Sequence, residues 1–299
     1  MLLILSIMEQ YMSSPIFVLG NPRSGTTLLR LMLNNHKNIV IPPECGFAIW
    51  FYEKYANTII NESIIREFIK DISTARKIET WGLNFYELEI FIVASKPDSY
   101  SKLVSCVYEF YGKQIGKNFK RWGDKNNFYI KHIETINKLF PSAYFIHIVR
   151  DGRDVACSYR SINRSKIVSK YAPHLPDDII SIAEEWDFNL NQMIDSFNKI
   201  SWHNVYEVRY EDLTTSPVDT LRNICNFLEE PYDERMETYY LKNQEEQQEP
   251  VEFLQWKVKT LEKPTTSEIS KYLKELRKNE IKQFENIAHK LLERYSYLP

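Results

Sequence analysis

The chain has 299 residues, 43% of them hydrophobic and 26% charged, which is the composition of a globular protein with room for one large α/β domain or two modest ones. Its 38 Lys and Arg stand against 40 Asp and Glu, so a whole-surface basic field for nucleic acid is not expected, although a local anion pocket is compatible with the balance. Cys45, Cys106, Cys157 and Cys225 are scattered, with no CxxC and no histidine at ligand spacing; this argues against a disulfide framework or a metal site and predicts a cytoplasmic protein with free thiols.

Residues 1–8 are apolar but lack a basic start and are too short to cross a bilayer, so they are expected to lead into the first strand. No later stretch is long and apolar enough to span a membrane, and no membrane association is expected. Residues 15–20 form a short apolar run closed by Gly20, the pattern of a buried parallel strand. Asn21-Pro22-Arg23-Ser24-Gly25 is turn chemistry, and residues 26–35 read as a helix with Leu28, Leu31 and Met32 on one face. Ile39-Val40-Ile41 is a second strand, stopped by Pro42-Pro43.

Residues 47–118 show helical periodicity, many aromatics and no obvious strand, and are expected to form a helical insertion over the sheet and the active site. Beyond them the pattern predicts a strand at 121–125, a helix at 128–140, a strand at 143–149 and a helix at 153–161. A helix at 179–197, a strand at 205–209 and helices at 217–228 and 279–295 follow. Residues 242–250, rich in Glu and Gln, read as a solvent-facing loop or frayed helix. Strands alternating with helices predict an α/β fold with a parallel sheet covered on both faces. No repeat or Gly/Ser linker divides the chain, so residues 1–299 are expected to form a single domain.

Two segments carry chemistry. Gly20-Asn21-Pro22-Arg23-Ser24-Gly25-Thr26-Thr27 lies between a buried strand and a helix start, where free N–H groups and the positive end of the helix dipole attract an anion. Arg23 adds charge, Gly25 close backbone approach, and Thr26 and Thr27 hydroxyl donors. The Gly-Lys-Ser/Thr triplet of a Walker A loop is absent, which disfavours a nucleoside triphosphatase. The second segment, His147-Ile148-Val149-Arg150-Asp151-Gly152-Arg153-Asp154-Val155-Ala156-Cys157-Ser158, delivers Arg150 from a strand end and Ser158 two helical turns later. Together they suit a second phosphate, while Asp151 and Asp154 read as helix N-terminal carboxylates.

The pair resembles the phosphosulfate loop and the 3′-phosphate motif of sulfotransferases that use 3′-phosphoadenosine 5′-phosphosulfate (PAPS), and the likeness extends from about residue 15 to residue 295. Within that superfamily the chain is most similar to the tyrosylprotein sulfotransferases and their bacterial relatives. The resemblance implies a P-loop-like three-layer fold, PAPS as donor, 3′-phosphoadenosine 5′-phosphate (PAP) as product, and no metal. It implies that Glu44, after Pro42-Pro43, is the general base and that Lys125, in Gly123-Asp124-Lys125-Asn126, stabilises the transferring group together with Arg23. The donor would be held by Arg23, Ser24, Gly25, Thr26, Thr27, Arg150 and Ser158. Tyr210, in Tyr210-Glu211-Asp212-Leu213, would lie by the adenine, and Lys271 belongs to an element that closes over the donor. In that element Ser270 and Tyr272 replace the family's glycine and tryptophan. Arg160 and Arg164 flank the spot of a further family arginine without matching its spacing.

The expected acceptor is a hydroxyl or amine on a small molecule; the family's protein-tyrosine members work in the secretory pathway behind a membrane anchor, which this reading does not find here. A protein-tyrosine or carbohydrate acceptor is the first alternative. A P-loop-like phosphotransferase, dependent on Mg²⁺, and a non-catalytic nucleotide-binding protein are the others. The histidines His36, His132, His147, His174, His203 and His289 lack an orienting partner in the sequence and read as structural. The aromatic stretch 47–52 and the run 166–176 are candidates for an acceptor wall and a lid.

Overall fold

The computed structural model describes residues 14–298; the apolar segment at residues 1–8 lies outside the described residues. Five strands, β1 (Ile16–Leu19), β2 (Ile39–Val40), β3 (Arg121–Lys125), β4 (Tyr144–Val149) and β5 (Val205–Arg209), form one sheet in the order β2-β3-β1-β4-β5. Every neighbouring pair is parallel; Val18 lies level with Lys125 on one side and with Ile146 on the other.

Strands β1, β2 and β4 read as largely apolar runs because both faces are covered, whereas β3 and β5 carry charged residues. Ile16 and Val18 point into one core with Ile146, Ile148 and Val208, whereas Phe17 and Leu19 point into the other with Phe145 and Val149. Helix α1 (Thr26–Asn35) covers the first face. The insertion contributes short turns at Phe47–Trp50 and Tyr52–Tyr55, then α2 (Glu62–Ser73), α3 (Phe85–Ser95) and α4 (Tyr100–Gln114) on the second face. After β3 come α5 (Ile133–Leu139), α6 (Gly152–Arg164), α7 (Ile179–Ile200), α8 (Pro217–Phe227), α9 (Tyr239–Glu246), α10 (Val251–Lys257) and α11 (Lys278–Arg294). α8 and α9 join α1; α6, α7 and α11 join the insertion. The expected three-layer, P-loop-like arrangement is therefore the observed one.

The insertion is held by local and long-range devices. Asn61 and Asn84 cap α2 and α3 with their side-chain oxygens, each accepting a first-turn N–H. Tyr108 of α4 stacks on Trp122 of β3 with centroids 4.1 Å apart and planes 12° apart.

Two expectations are corrected. The single helix expected at 128–140 is a 3₁₀ turn, Asn127–His132, followed by α5. Asn126 accepts the Phe128 N–H with its side chain, which ties the chain into the tighter turn. The Glu- and Gln-rich stretch 242–250, expected as a solvent-facing loop or frayed helix, is helical to Glu246, but it does not face solvent throughout: Glu249 is only 2% exposed, paired with Arg30 and Lys257.

From β1 the chain passes to β2 and β3 on one side and later to β4 and β5 on the other. Such a reversal opens a crevice beyond the carboxyl ends of the central strands, the usual binding place in open α/β sheets.

Candidate functional site

The loop after β1 bends sharply. Arg23 adopts a left-handed backbone (φ 69°), an uncommon state for a residue with a Cβ. That conformation aims its guanidinium along the crevice, where Nε donates to Ser158 Oγ at 3.1 Å. Gly25 has φ 98°, and a Cβ there would lie 2.6 Å from Cδ2 of Tyr210, so the glycine serves both the turn and the seating of that ring. α1 begins at Thr26 with no side-chain cap and no acidic residue in its first turn. Its leading N–H groups have no intrahelical acceptor, which suits an anion.

The individual donors are arranged differently from the sequence expectation. Ser24 spends its N–H on Asn21 C=O at 3.1 Å, and its Oγ is buried without a hydrogen-bond partner among the described residues. Thr26 donates its hydroxyl to Asn127 Oδ1 at 3.3 Å, and Thr27 Oγ1 accepts from Lys125 Nζ at 3.1 Å. The hydroxyls of Thr26 and Thr27 are thus both engaged within the protein.

Arg150 leaves the end of β4 and lies over the same loop. Its Nη1 donates to Arg23 C=O at 3.1 Å, its Nη2 donates to Glu268 C=O at 2.8 Å, and its guanidinium stands 4.5 Å from the centre of the Tyr210 ring. Arg150 Nε is buried and has no acceptor among the described residues. Burial, and then the charge of Arg150, lower the pKa of Arg23 to about 10. Of the two aspartates read as helix-start carboxylates, Asp151 caps α6 and grips Arg153. Asp154, in the first turn of α6 as expected, also accepts the N–H groups of Ser270 and Tyr272, tying the C-terminal segment across the crevice. Lys271 of that segment pairs with Glu275 at 3.2 Å.

Lys125, the last residue of β3, is 1% exposed and ion-paired with Glu44, which follows β2 after the two prolines. Trp81 Nε1 donates to Pro43 C=O at 2.8 Å and so holds that turn from the insertion. Two partners of Glu44 were not foreseen from the sequence: Lys77 at 2.6 Å and Lys257 at 3.6 Å. Lys257 also meets Glu249 at 2.5 Å, and Glu249 meets Arg30 at 2.6 Å. Burial pushes the Glu44 carboxyl up, but Lys125, Lys257 and Lys77 prevail and hold it well below the usual carboxylate range. Burial also brings Lys125 down to about 8, against the pull of Glu44. One signal for this network was legible: Arg30 lies among apolar residues in α1, and a charge there needs a buried partner. Lys77 and Lys257 carry no local signal.

Every expected site residue except Ser24 borders one cavity of about 650 Å³ at the carboxyl ends of the strands, a volume suited to a small organic ligand. Tyr171 to Leu175, in the run 166–176 read as a candidate lid, form part of its wall, with Tyr171 and Lys170 tied to Glu79. The stretch 47–52 does not border it: Phe47 is core, and Trp50 faces out at 40% exposure. His174 lines the cavity and the other histidines do not. His36, at the C-terminal end of α1, is buried; it accepts from the Asn38 N–H through Nδ1 and contacts Pro231 C=O through Nε2 at 2.8 Å. Burial lowers its pKa. Arg160 bonds to Asp177 C=O and Glu280. No cluster of three His, Cys, Asp or Glu side chains suited to a metal occurs among the described residues, and no described helix is long and apolar enough to cross a membrane.

Comparison with known proteins agrees with this geometry. The profile of the Sulfotransferase family matches residues 15–234. Protein-tyrosine sulfotransferase A of Caenorhabditis elegans is 24% identical over 221 residues, covering 74% of this chain and 51% of that protein. The protein-tyrosine sulfotransferase of Drosophila melanogaster is 27% identical over 222 residues, covering 73% and 38%. The chain therefore spans about half, or less, of the length of these two curated relatives. Among solved structures, the sulfotransferase domain of the Synechococcus PCC 7002 olefin synthase has the same fold, with a TM-score of 0.57 and 21% identity over 92% of this chain and 96% of that one.

Proposed function

This chain belongs to the sulfotransferase family, and from that premise we propose that it moves a sulfuryl group from PAPS to an acceptor hydroxyl or amine without a metal ion. The observation that carries the reading is convergence: the α1 N-terminus, Arg23, Arg150 with its unpartnered Nε, and the Lys125–Glu44 pair border one cavity. The donor carries anions at both ends of its ribose. The α1 start and Arg23 would take the phosphosulfate, Arg150 and Ser158 the 3′-phosphate, and Tyr210 the adenine side. The PAPS sulfuryl group is what transfers, and the protein supplies position and charge.

Glu44 is ionised at neutral pH because of its lysines, so it is ready to accept a proton. A carboxylate held so low is a weak base while all three cations remain on it. An incoming anion at Lys125 would draw that ammonium away and raise the basicity of Glu44 as the acceptor arrives. Lys125 would then neutralise charge on the leaving phosphate, with Thr27 Oγ1 keeping its Nζ in place.

The acceptor is proposed to be a small molecule. The relatives named as protein-tyrosine sulfotransferases support a second reading, a tyrosine phenol. A cytoplasmic setting is supported by the four thiols, all buried and unpaired. The deciding experiment is calorimetric titration with PAP in the absence of Mg²⁺, on the wild type and on Arg150→Ala. Wild-type binding that weakens roughly 30- to 1000-fold in the variant supports the donor site, this being the cost of losing a buried charge partner. No binding by the wild type sinks the sulfotransferase reading and reopens that of a Mg²⁺-dependent phosphotransferase.

A further inference from the structure

Residues 258–271 follow α10 and run along the donor side of the cavity. Their far end is pinned by backbone groups, since the N–H groups of Ser270 and Tyr272 both bond to Asp154. Arg153 lies 4.0 Å from the centre of the Tyr272 ring, and Ser270 is left-handed at φ 56°. The apex is the 3₁₀ turn Thr266–Glu268, none of whose residues is buried in a core. Apolar packing therefore does not explain where Glu268 sits.

Charge does. The Glu268 carboxylate is paired with Lys259, lies 3.8 Å from Lys271 Nζ and 4.0 Å from Arg150 Nη2, and is only 17% exposed. The same Arg150 nitrogen bonds to the Glu268 carbonyl at 2.8 Å. Of these three cations, Arg150 is assigned to the 3′-phosphate above, and Lys271 lines the same cavity in the element that the resemblance expects to close over the donor. A carboxylate there satisfies charges that a phosphate would otherwise meet.

We propose that Glu268 is an internal anion that competes with the 3′-phosphate of the donor for Arg150 and Lys271, so that donor binding requires the Thr266–Glu268 turn to withdraw its carboxylate. The inference rests on the donor site proposed above. Its consequence is specific: the protein trades donor affinity for a strap whose position reports whether the 3′-phosphate is bound. A molecule without that phosphate leaves Glu268 in place and the strap unmoved.

The test is calorimetry with two probes: PAP, and adenosine 5′-phosphosulfate, which lacks the 3′-phosphate. Glu268→Gln keeps the shape and removes the charge. It is expected to bind PAP about tenfold more tightly than the wild type, with adenosine 5′-phosphosulfate unchanged, because the competing state is removed only where the 3′-phosphate lands. Glu275→Gln alters net charge equally and faces the same Lys271 from its more exposed side. It is expected to change PAP affinity by less than about twofold. A gain of equal size for both probes, or in both variants, overturns the proposal in favour of general electrostatics. Unchanged or weaker PAP binding by Glu268→Gln overturns it outright. Absence of PAP binding by the wild type refutes the donor site, and the inference with it, whereas binding without the Glu268 effect refutes the inference alone.

Discussion

On the β1–β4 side of the cavity the arginines are held by neutral groups, and on the β2–β3 side the lysines are held by carboxylates. Arg23 donates to Ser158 Oγ, and Arg150 donates to the carbonyls of Arg23 and Glu268. Dipoles orient these cations without cancelling them; the Glu268 carboxylate is the anion that approaches Arg150. Lys125, Lys77 and Lys257 instead share Glu44, with Glu249 and Arg30 completing the chain of pairs. The difference separates two tasks. On the proposed function, one side would keep a standing field for a polyanion, while the other would keep its charges paired until a substrate supplied a new anion.

The strongest way to break this comparison is Glu44→Gln. If the two sides are separate, kcat falls by about 10²–10⁴-fold, the usual worth of a positioned base, while PAP affinity stays within a few-fold. A collapse of PAP affinity in this variant would mean that the paired side also holds the donor. Next in size is Arg30→Met, which leaves Glu249 buried with one cation fewer. Breaking a buried pair from one side costs about 3–5 kcal/mol, and denaturant unfolding should register a loss of that order. A negligible loss would show that the chain of pairs is dispensable for stability.

Smaller effects sharpen the picture. Lys125, with a pKa of about 8, loses its proton as pH rises through that value, so kcat/KM should decline above about pH 8, by roughly tenfold per unit. A profile flat to pH 10 would exclude Lys125 as an essential cation. On the acid side Glu44 is held low, and it accepts a proton only well below neutrality. Lys77→Met removes one of the cations responsible, so the acid limb should move up in pH while the alkaline limb stays. No movement would indicate that Lys125 and Lys257 alone set the carboxyl.

Reading from the sequence succeeded where the signal was local. β1 and β4 were legible because both faces of a parallel sheet demand apolar runs, and the two strand-to-helix loops, which border one cavity, because each handover is complete within a dozen residues. The helix expected at 128–140 failed because one side chain, Asn126, redirected the first turn. In the stretch 242–250, helical to Glu246 as one of its two readings allowed, the burial of Glu249 was missed for a different reason. Glutamate and glutamine are polar by default, and only a buried arginine from a distant helix makes Glu249 a core residue.

The order of strands and helices and the two strand-to-helix loops with Arg150 and Ser158 were already determined by the sequence. They depend on patterns a few residues long, in which steric and dipolar preferences act without help from elsewhere, whereas Glu44 and Lys125 became candidates through the family resemblance. What only the tertiary structure decided was the company these residues keep. Lys77 and Lys257 on Glu44, Glu268 on Arg150, Asp154 under the strap and Ser24 turned away from the cavity join positions from 33 to 213 residues apart or depend on backbone direction. Charges removed from water must find partners wherever the fold brings them, and that choice is made by packing rather than by neighbours in the chain.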